Sequence, residues 1–191
     1  MSTDAKNMAK LKAARLTPAA YTTNFTERNL DRIKARVSSR EFLTAEPPTN
    51  LYLYAASADR HNVARSTMAA ALVAKALALQ NKKVIYCRLA ALLREIRCSE
   101  MEREARSFHP ILQHLGHGGY VVMGDMLEYA DVEDKYGYHA MHVVTDLLMT
   151  HVEEGGGLVI GATHIEPREV TGLGTEFQEF IAQRFESFCI A

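Results

Sequence analysis

The feature that most constrains the fold of this chain is the regular alternation of short apolar segments with segments of helical character. Each of these segments has four to six residues, most of them apolar, and has the length of a buried strand. Because predicted helices separate these strands, their connections favour parallel pairing. The predicted strands are Leu51–Ala55, Val84–Leu89, Tyr120–Met123, Leu158–Ala162 and Ser187–Ile190.

Apolar residues at helical spacing, together with stop signals, predict the helices around these strands. In one of them Leu30, Ile33 and Val37 are spaced for a single face, and Thr26 is a candidate N-cap. The sequence therefore predicts an α/β fold, a three-layer sandwich in which helices cover both faces of a five-stranded, mainly parallel sheet. The predicted helices are residues 4–15, 26–43, Arg65–Gln80, 90–115 in two pieces, 137–153 and Phe177–Phe185.

A change of composition at Glu46-Pro47-Pro48-Thr49 predicts a boundary. Residues 1–46 then form a basic helical extension, and residues 47–191 form the main domain. Residues 1–40 carry nine Lys or Arg against three Asp or Glu, whereas residues 124–191 carry three against thirteen. Such a basic front can contact a partner or a polyanion, or it can simply be a solvated helix surface.

The bulk composition narrows the classes to which this protein can belong. Its 191 residues suffice for one domain with a full core. Three cysteines without a CxxC pair argue against a disulfide framework or a zinc ribbon and suit a reducing compartment. No apolar run approaches the ~18 residues that a membrane span needs, and no apolar signal segment opens the chain. We expect a cytoplasmic protein without a membrane contact.

Ligands of parallel sheets bind beyond the carboxyl ends of the strands, so the loop 56–66 after the first strand is the first candidate site. A phosphate cradle of the form GxxxxGK[ST] would place Arg65 at the lysine and Ser66 at the magnesium-binding hydroxyl. Ala64 and Asp59 then take the glycine positions, which argues against an unchanged phosphate nest. The N-terminus of the following helix still favours an anion.

Three further positions complete the candidate site. After the third strand, Gly124 and Asp125 stand where a nucleotidase carries two acids, one for magnesium and one for the attacking water. After the fourth strand, Thr163 and His164 can sense a terminal phosphate, although His164 also suits a hydrogen bond to a loop. Arg184 precedes the last strand and can reach a nucleotide of a neighbouring subunit, or form a surface ion pair.

A metal centre is not expected. His139 and His142 lie three residues apart on a predicted helix, and His151 follows, but no acidic or cysteine ligand accompanies them at a known spacing. These histidines are more typical of a contact between the helix and its core or partner.

The order of these elements resembles the ATPase domain of bacterial helicase loaders of the DnaC/DnaI type, and the related transposition helper IstB, both of the AAA+ class of P-loop NTPases. The resemblance covers about residues 45–191 and depends on the order of all five strands and their ends. The segments that carry it are LYLYAA…ARSTMAAALVAKAL, KKVIYCRLAALLREIR, GYVVMGDM, GLVIGATHI and FIAQRFESF.

The resemblance implies an extension that grips a replicative helicase of the DnaB type, and a domain that binds ATP with Mg²⁺ and single-stranded DNA, in some cases as a homo-oligomer. Against the family pattern, the Walker A glycines are absent, Arg65 replaces the lysine, Gly124 replaces the first Walker B acid and His164 replaces the sensor asparagine. Losing several preorganised charges should leave little turnover, since one such contact is worth about 10²–10³ in rate.

Three functions are therefore open. The first is a helicase-loader-like replication protein, of phage or mobile-element type, that engages its helicase as a pseudo-ATPase with little or no ATP hydrolysis. The second is an active loader in which Arg65 is the phosphate cation and Asp125 is the carboxylate that polarises the attacking water. The third is an IstB-like helper that binds DNA through the basic extension.

Overall fold

Five strands form one sheet in which every pairing is parallel. The computed structural model describes residues 3–16, 28–56, 60–89, 118–124, 138–161 and 174–190. The strands are β1 (Asn50–Ala55), β2 (Val84–Arg88), β3 (Tyr120–Gly124), β4 (Gly157–Gly161) and β5 (Phe185–Ile190). The helices in these ranges are α1 (Thr3–Ala13), α2 (Arg28–Val37), α3 (Arg40–Thr44), α4 (Arg60–Leu79), α5 (Tyr138–Glu153) and α6 (Thr175–Arg184).

The spatial order of the strands is β2-β3-β4-β1-β5, so that β1 lies between β4 and β5. All five predicted strands are confirmed, with ends that shift by one or two residues. The register pairs Leu51 with Val159 on one side of β1 and with Glu186 on the other. The central strands β3 and β4 are buried at every residue, as expected for a sheet that is covered on both faces.

The sheet carries one hydrophobic cluster on each of its two faces, and helices cover both clusters, so that the fold has three layers. On one face α4 packs on the sheet, and α1, α2 and α3 contribute buried side chains to the same cluster. On the other face α5 and α6 supply Val144, Leu148, Phe177, Phe180 and Ile181 to a second cluster. The α/β class and the three-layer arrangement are thus confirmed.

Three helices end in the same way, through a residue with positive φ and two hydrogen bonds that reach back into the last turn. In α4 this residue is Asn81 (φ 64°): its N–H bonds the carbonyl of Ala78, and the N–H of Lys82 bonds the carbonyl of Leu77. These are the bonds of a Schellman motif. Arg15 ends α1 and Gly155 ends α5 by the same pattern. The stops predicted after residues 80 and 153 are confirmed.

Two predicted helix boundaries are wrong. The helix predicted over residues 26–43 is broken after Val37, because Ser39 turns the chain and its hydroxyl caps α3 by accepting from the N–H of Phe42. The helix predicted to begin at Arg65 begins at Arg60, since the intervening residues include neither glycine nor proline to stop it. The predicted helix over 90–115 lies outside the described residues.

The basic extension shares a core with the main domain. Leu30, Ile33 and Val37, which the spacing assigns to one face of a helix, are buried together with α4. The ring of Phe42 stacks on that of Tyr120, with centroids 5.9 Å apart. Beyond α1, the carbonyl of Ala14 accepts a 2.8 Å hydrogen bond from the N–H of Tyr86 on the edge strand β2.

An ion pair also joins the extension to the opposite edge of the sheet. Arg36 of α2 contacts Glu186 of β5 at 2.8 Å and Glu41 of α3 at 3.2 Å. Its guanidinium lies 5.6 Å from the centroid of the Phe42 ring. The hydrogen bond to Glu186, opposed by partial desolvation and helped by both carboxylates, raises the pKa of Arg36. Both edges of the sheet are therefore tied to residues 1–46.

Asn50 holds three strands in register at the amino end of the sheet. Its Oδ1 accepts a 2.9 Å hydrogen bond from the N–H of Leu158, and its Nδ2 donates to the carbonyl of Arg184 at 3.3 Å. The side chain is buried, and the buried N–H of Leu158 depends on it for a partner.

We expect Asn50→Ala to lower the free energy of unfolding by about 1–3 kcal/mol, because it leaves the buried N–H of Leu158 without a partner. Urea denaturation of the variant and of the matched surface variant Gln183→Ala measures the difference. Equal stabilities of the two variants would contradict the role of Asn50.

His151 is a buried histidine that the fold keeps neutral. Its Nε2 lies 3.2 Å from the carbonyl oxygen of Gly119 and donates to it, and its ring fills the space beside Gly156 that a side chain there would need. Burial lowers the pKa of His151, although the carbonyls of Gly119 and Gly157 and the charge of Glu154 partly oppose this shift.

Since the folded state binds this proton less readily than the unfolded chain, stability should fall as the pH drops below about 6.5. We expect the variant His151→Gln, which can still donate to Gly119, to show a flatter decline between about pH 7 and pH 5. Thermal melts across this range test it, with the exposed His142→Gln as control. A decline that His151→Gln leaves unchanged would show that other groups cause it.

Candidate functional site

The topology creates a crevice at the carboxyl ends of β1 and β4. These strands are neighbours, yet the helices that follow them lie on opposite faces of the sheet: α4 after β1, and α6 after β4. Where the connections of two neighbouring strands go to opposite faces, a crevice forms at the carboxyl ends of the strands. Open α/β sheets bind their ligands in this crevice. The candidate site is therefore the edge where β1, β3 and β4 end.

The first turns of α4 lie unusually close to the ends of β3 and β4. A Cβ at Gly161 would be 2.7 Å from the Cβ of Ala70 and 2.9 Å from the backbone oxygen of Ser66. Only glycine allows an approach this close. The helix that borders the crevice is thus fixed against its floor by small residues on both sides.

Tyr86 fills the space beside Gly124. A Cβ at Gly124 would overlap the hydroxyl oxygen of Tyr86 and would be 3.4 Å from the Cγ2 of Thr67 on α4. The Tyr86 side chain is buried and extends from β2 over the end of β3. Where the resemblance expects a magnesium-binding acid, the structure has a phenol and no room for a longer side chain at position 124.

Arg65 and Ser66 lie in the second turn of α4, as its sixth and seventh residues. The prediction that they stand at the start of the helix is wrong, because α4 begins at Arg60 and only residues 56–59 separate it from β1. Their backbone N–H groups belong to the helix, whose unpaired N–H groups are those of its first four residues. Ser66 has no exposed surface. The nucleotide-binding role of both residues stays a prediction.

The other predicted site residues do not all meet at this edge. Arg184 is exposed at the end of α6, and its carbonyl bonds Asn50 at the amino end of the sheet. The six residues of β1 separate the two edges by about 17 Å, at ~3.3 Å per residue. Arg184 therefore cannot join the crevice of its own chain. Asp125, Thr163 and His164 lie outside the described residues.

The histidines of α5 have separate surroundings. His142 is exposed and lies 3.6 Å from Asp146, whereas His151 is buried against Gly119. Among the described residues no group of three or more His, Cys, Asp or Glu side chains comes together.

Sequence reasoning missed Tyr86, Thr67 and Gly161. Alternation along β2 and β3 could have suggested that Tyr86 and Gly124 share the α4 face of the sheet, because each lies an even number of residues from a buried neighbour on that face. The register that brings them together depends on the pairing of Tyr86 with Val122, which no local pattern shows.

A scan against models of known protein families matched none of them, and a search of curated proteins found no relative. Of the helices that the structure describes, none combines the length and the apolar character that crossing a bilayer requires. The fold and the geometry of the crevice are therefore the findings on which a function can be argued.

We expect Gly124→Ala to lower the free energy of unfolding by about 1–3 kcal/mol, because the new methyl group overlaps the Tyr86 hydroxyl. The double variant Gly124→Ala/Tyr86→Leu should lose less unfolding free energy than the sum of the losses of the two single variants, by about 0.5–3 kcal/mol. The reason is that leucine leaves free the space that the new methyl group needs. Urea denaturation of the four proteins measures this coupling.

The control is the same cycle with Tyr54→Leu, because Tyr54 packs on the other face of the sheet. That cycle should be additive. Additivity with Tyr86→Leu as well would mean that Tyr86 does not occupy the space beside Gly124.

Proposed function

We propose that this protein is a helicase-loader-like replication protein that engages a replicative helicase with little or no ATP hydrolysis. Its domain is of the P-loop NTPase kind, in the AAA+ class. The observation that carries the proposal is the closed pair of Tyr86 and Gly124 at the end of β3. The fold is suited to a nucleotide, but the crevice has no room for a magnesium-binding acid at position 124.

Further support comes from the start of α4. A phosphate loop needs several residues of free backbone before the helix, and here only residues 56–59 separate β1 from α4. The first four N–H groups of α4 can still attract an anion. This arrangement suits weak nucleotide binding better than turnover.

The basic extension supports the partner half of the proposal. In the helicase loaders that this chain resembles, the N-terminal extension binds the helicase. Here its buried face is fixed to the domain, and its exposed charges, among them Lys6, Arg32 and Lys34, are turned outward. Such a rigid basic surface suits a protein contact or a single strand of DNA.

One observation favours the alternative, an active loader that works as a homo-oligomer. Arg184 is exposed and remote from the crevice of its own chain, which is where an arginine must be if it acts on the nucleotide of a neighbouring subunit. In this alternative Arg65 and Asp125 carry the chemistry with ATP and Mg²⁺, and Thr163 and His164 sense the terminal phosphate.

Isothermal titration with ATP and ADP in the presence of Mg²⁺ separates the two. We expect weak binding or none, and an ATP turnover that neither single-stranded DNA nor a DnaB-type helicase increases. The variants Arg65→Ala and Asp125→Ala should leave any residual rate unchanged. Tight ATP binding with a turnover that both variants abolish would replace the proposal with the active loader.

Native mass spectrometry with a DnaB-type helicase tests the partner. We expect a complex at micromolar protein that the opposite-charge variant Arg32→Glu/Lys34→Glu weakens. The matched control is Glu176→Lys/Glu179→Lys on α6, which reverses two charges on the other face of the sheet. If no complex forms, and duplex DNA binds instead in a salt-dependent way, the IstB-like helper is the better description.

A further inference from the structure

A groove of about 380 Å³ lies on the outer edge of β2, between α1 and the turn that connects α4 to this strand. Small and aliphatic residues form its floor, and three lysines form its rim. The lysines are Lys10, Lys82 and Lys83, and the floor includes Ala14, Ala78 and Val84.

Among the residues that the structure describes, the rim of the groove carries only positive charge. No acidic residue of the described ranges lines it, and none of the three lysines forms an ion pair within them. The turn at Asn81 fixes where the chain carrying Lys82 and Lys83 leaves α4, through the hydrogen bond from Lys82 N–H to the Leu77 carbonyl. The positive charges are thus set by the fold around one cavity.

The groove also reaches the backbone edge of β2 at Val84, which is itself largely buried. The carbonyl of Lys83 accepts from Tyr120 on β3, whereas the N–H of Tyr86 points outward to Ala14. Backbone groups alternate between the two edges of a strand, so the N–H and carbonyl of Val84 also point outward, into the groove. Nothing in the described part of the chain hydrogen-bonds them from that side.

We propose that this groove binds an extended acidic peptide of a protein partner. The peptide would pair with Val84 on the outer edge of β2, beside the place that Ala14 occupies at Tyr86, and its carboxylates would meet Lys10, Lys82 and Lys83. A nucleic acid fits less well, because the described residues that line the groove include no aromatic side chain and no arginine on which a base could stack. The inference goes beyond the proposed function, since it holds whether or not the partner is a helicase.

The first test uses the full chain and a fluorescein-labelled peptide of alternating Glu and Val, about six residues long to match an edge strand. Its binding, followed by fluorescence anisotropy, should weaken with salt, because the lysines are solvent-accessible. A Gln-Val peptide should bind at least about fivefold more weakly, and an N-methylated Glu-Val peptide likewise. Hydrogen exchange should show that the peptide protects the amide of Val84.

Variants of the protein identify the groove. We expect Lys10→Glu and Lys83→Glu each to weaken the Glu-Val peptide about three- to tenfold, because each removes an attraction and adds a repulsion. The matched control is Lys12→Glu, on the same helix but outside the lining. It should change the affinity by less than about twofold. Unchanged circular dichroism spectra establish that the variants fold.

Three results would overturn the proposal. Equal binding of the Glu-Val and Gln-Val peptides would show that the groove does not recognise the carboxylates. An effect of Lys12→Glu as large as that of Lys10→Glu would mean that only net charge matters. A thymidine oligonucleotide that binds more tightly than the acidic peptide, and responds to the same two lysines, would assign the groove to nucleic acid.

Discussion

The close approach of α4 to the ends of β3 and β4 is the constraint on which the rest of the structure depends. Gly124 and Gly161 remove the side chains that would hold the helix away, and Ser66, Thr67 and Ala70 meet them from the helix side. An interior packed to crystal-like density tolerates little extra volume at such a contact. The same contact sets the position of the crevice, the room left inside it and the direction in which α4 runs across the sheet.

This close contact makes α4 the central helix on its face of the sheet. Its residues Ala69–Ala74 are all buried, because the helix packs on the sheet with one side and on α1 and α2 with the other. A helix that is apolar all round must be covered all round. The extension supplies that cover, which explains why residues 1–46 share a hydrophobic core with the domain although the sequence marks a boundary after Glu46.

The sequence predicts those parts of the fold that depend on local patterns. Short apolar runs locate the five strands, and Asn81 and Gly155 locate two helix ends, because burial and positive φ leave signals within a few residues. The start of α4 was missed because a motif was expected where helix-compatible residues simply continue the helix. The contact between the Tyr86 side chain and Gly124 was missed because it arises from strand register, which couples residues far apart in the chain.

The contact between Tyr86 and Gly124 also explains why a single substitution cannot place an acid at the end of β3. A carboxylate at position 124 needs the space of the Tyr86 ring, and removing the ring alone leaves a cavity under α4 that is itself destabilising. The two positions can only change together, and Thr67 limits the room on the helix side. The chemistry available to the crevice is therefore set by core packing between β2, β3 and α4, and not by the loops around it alone.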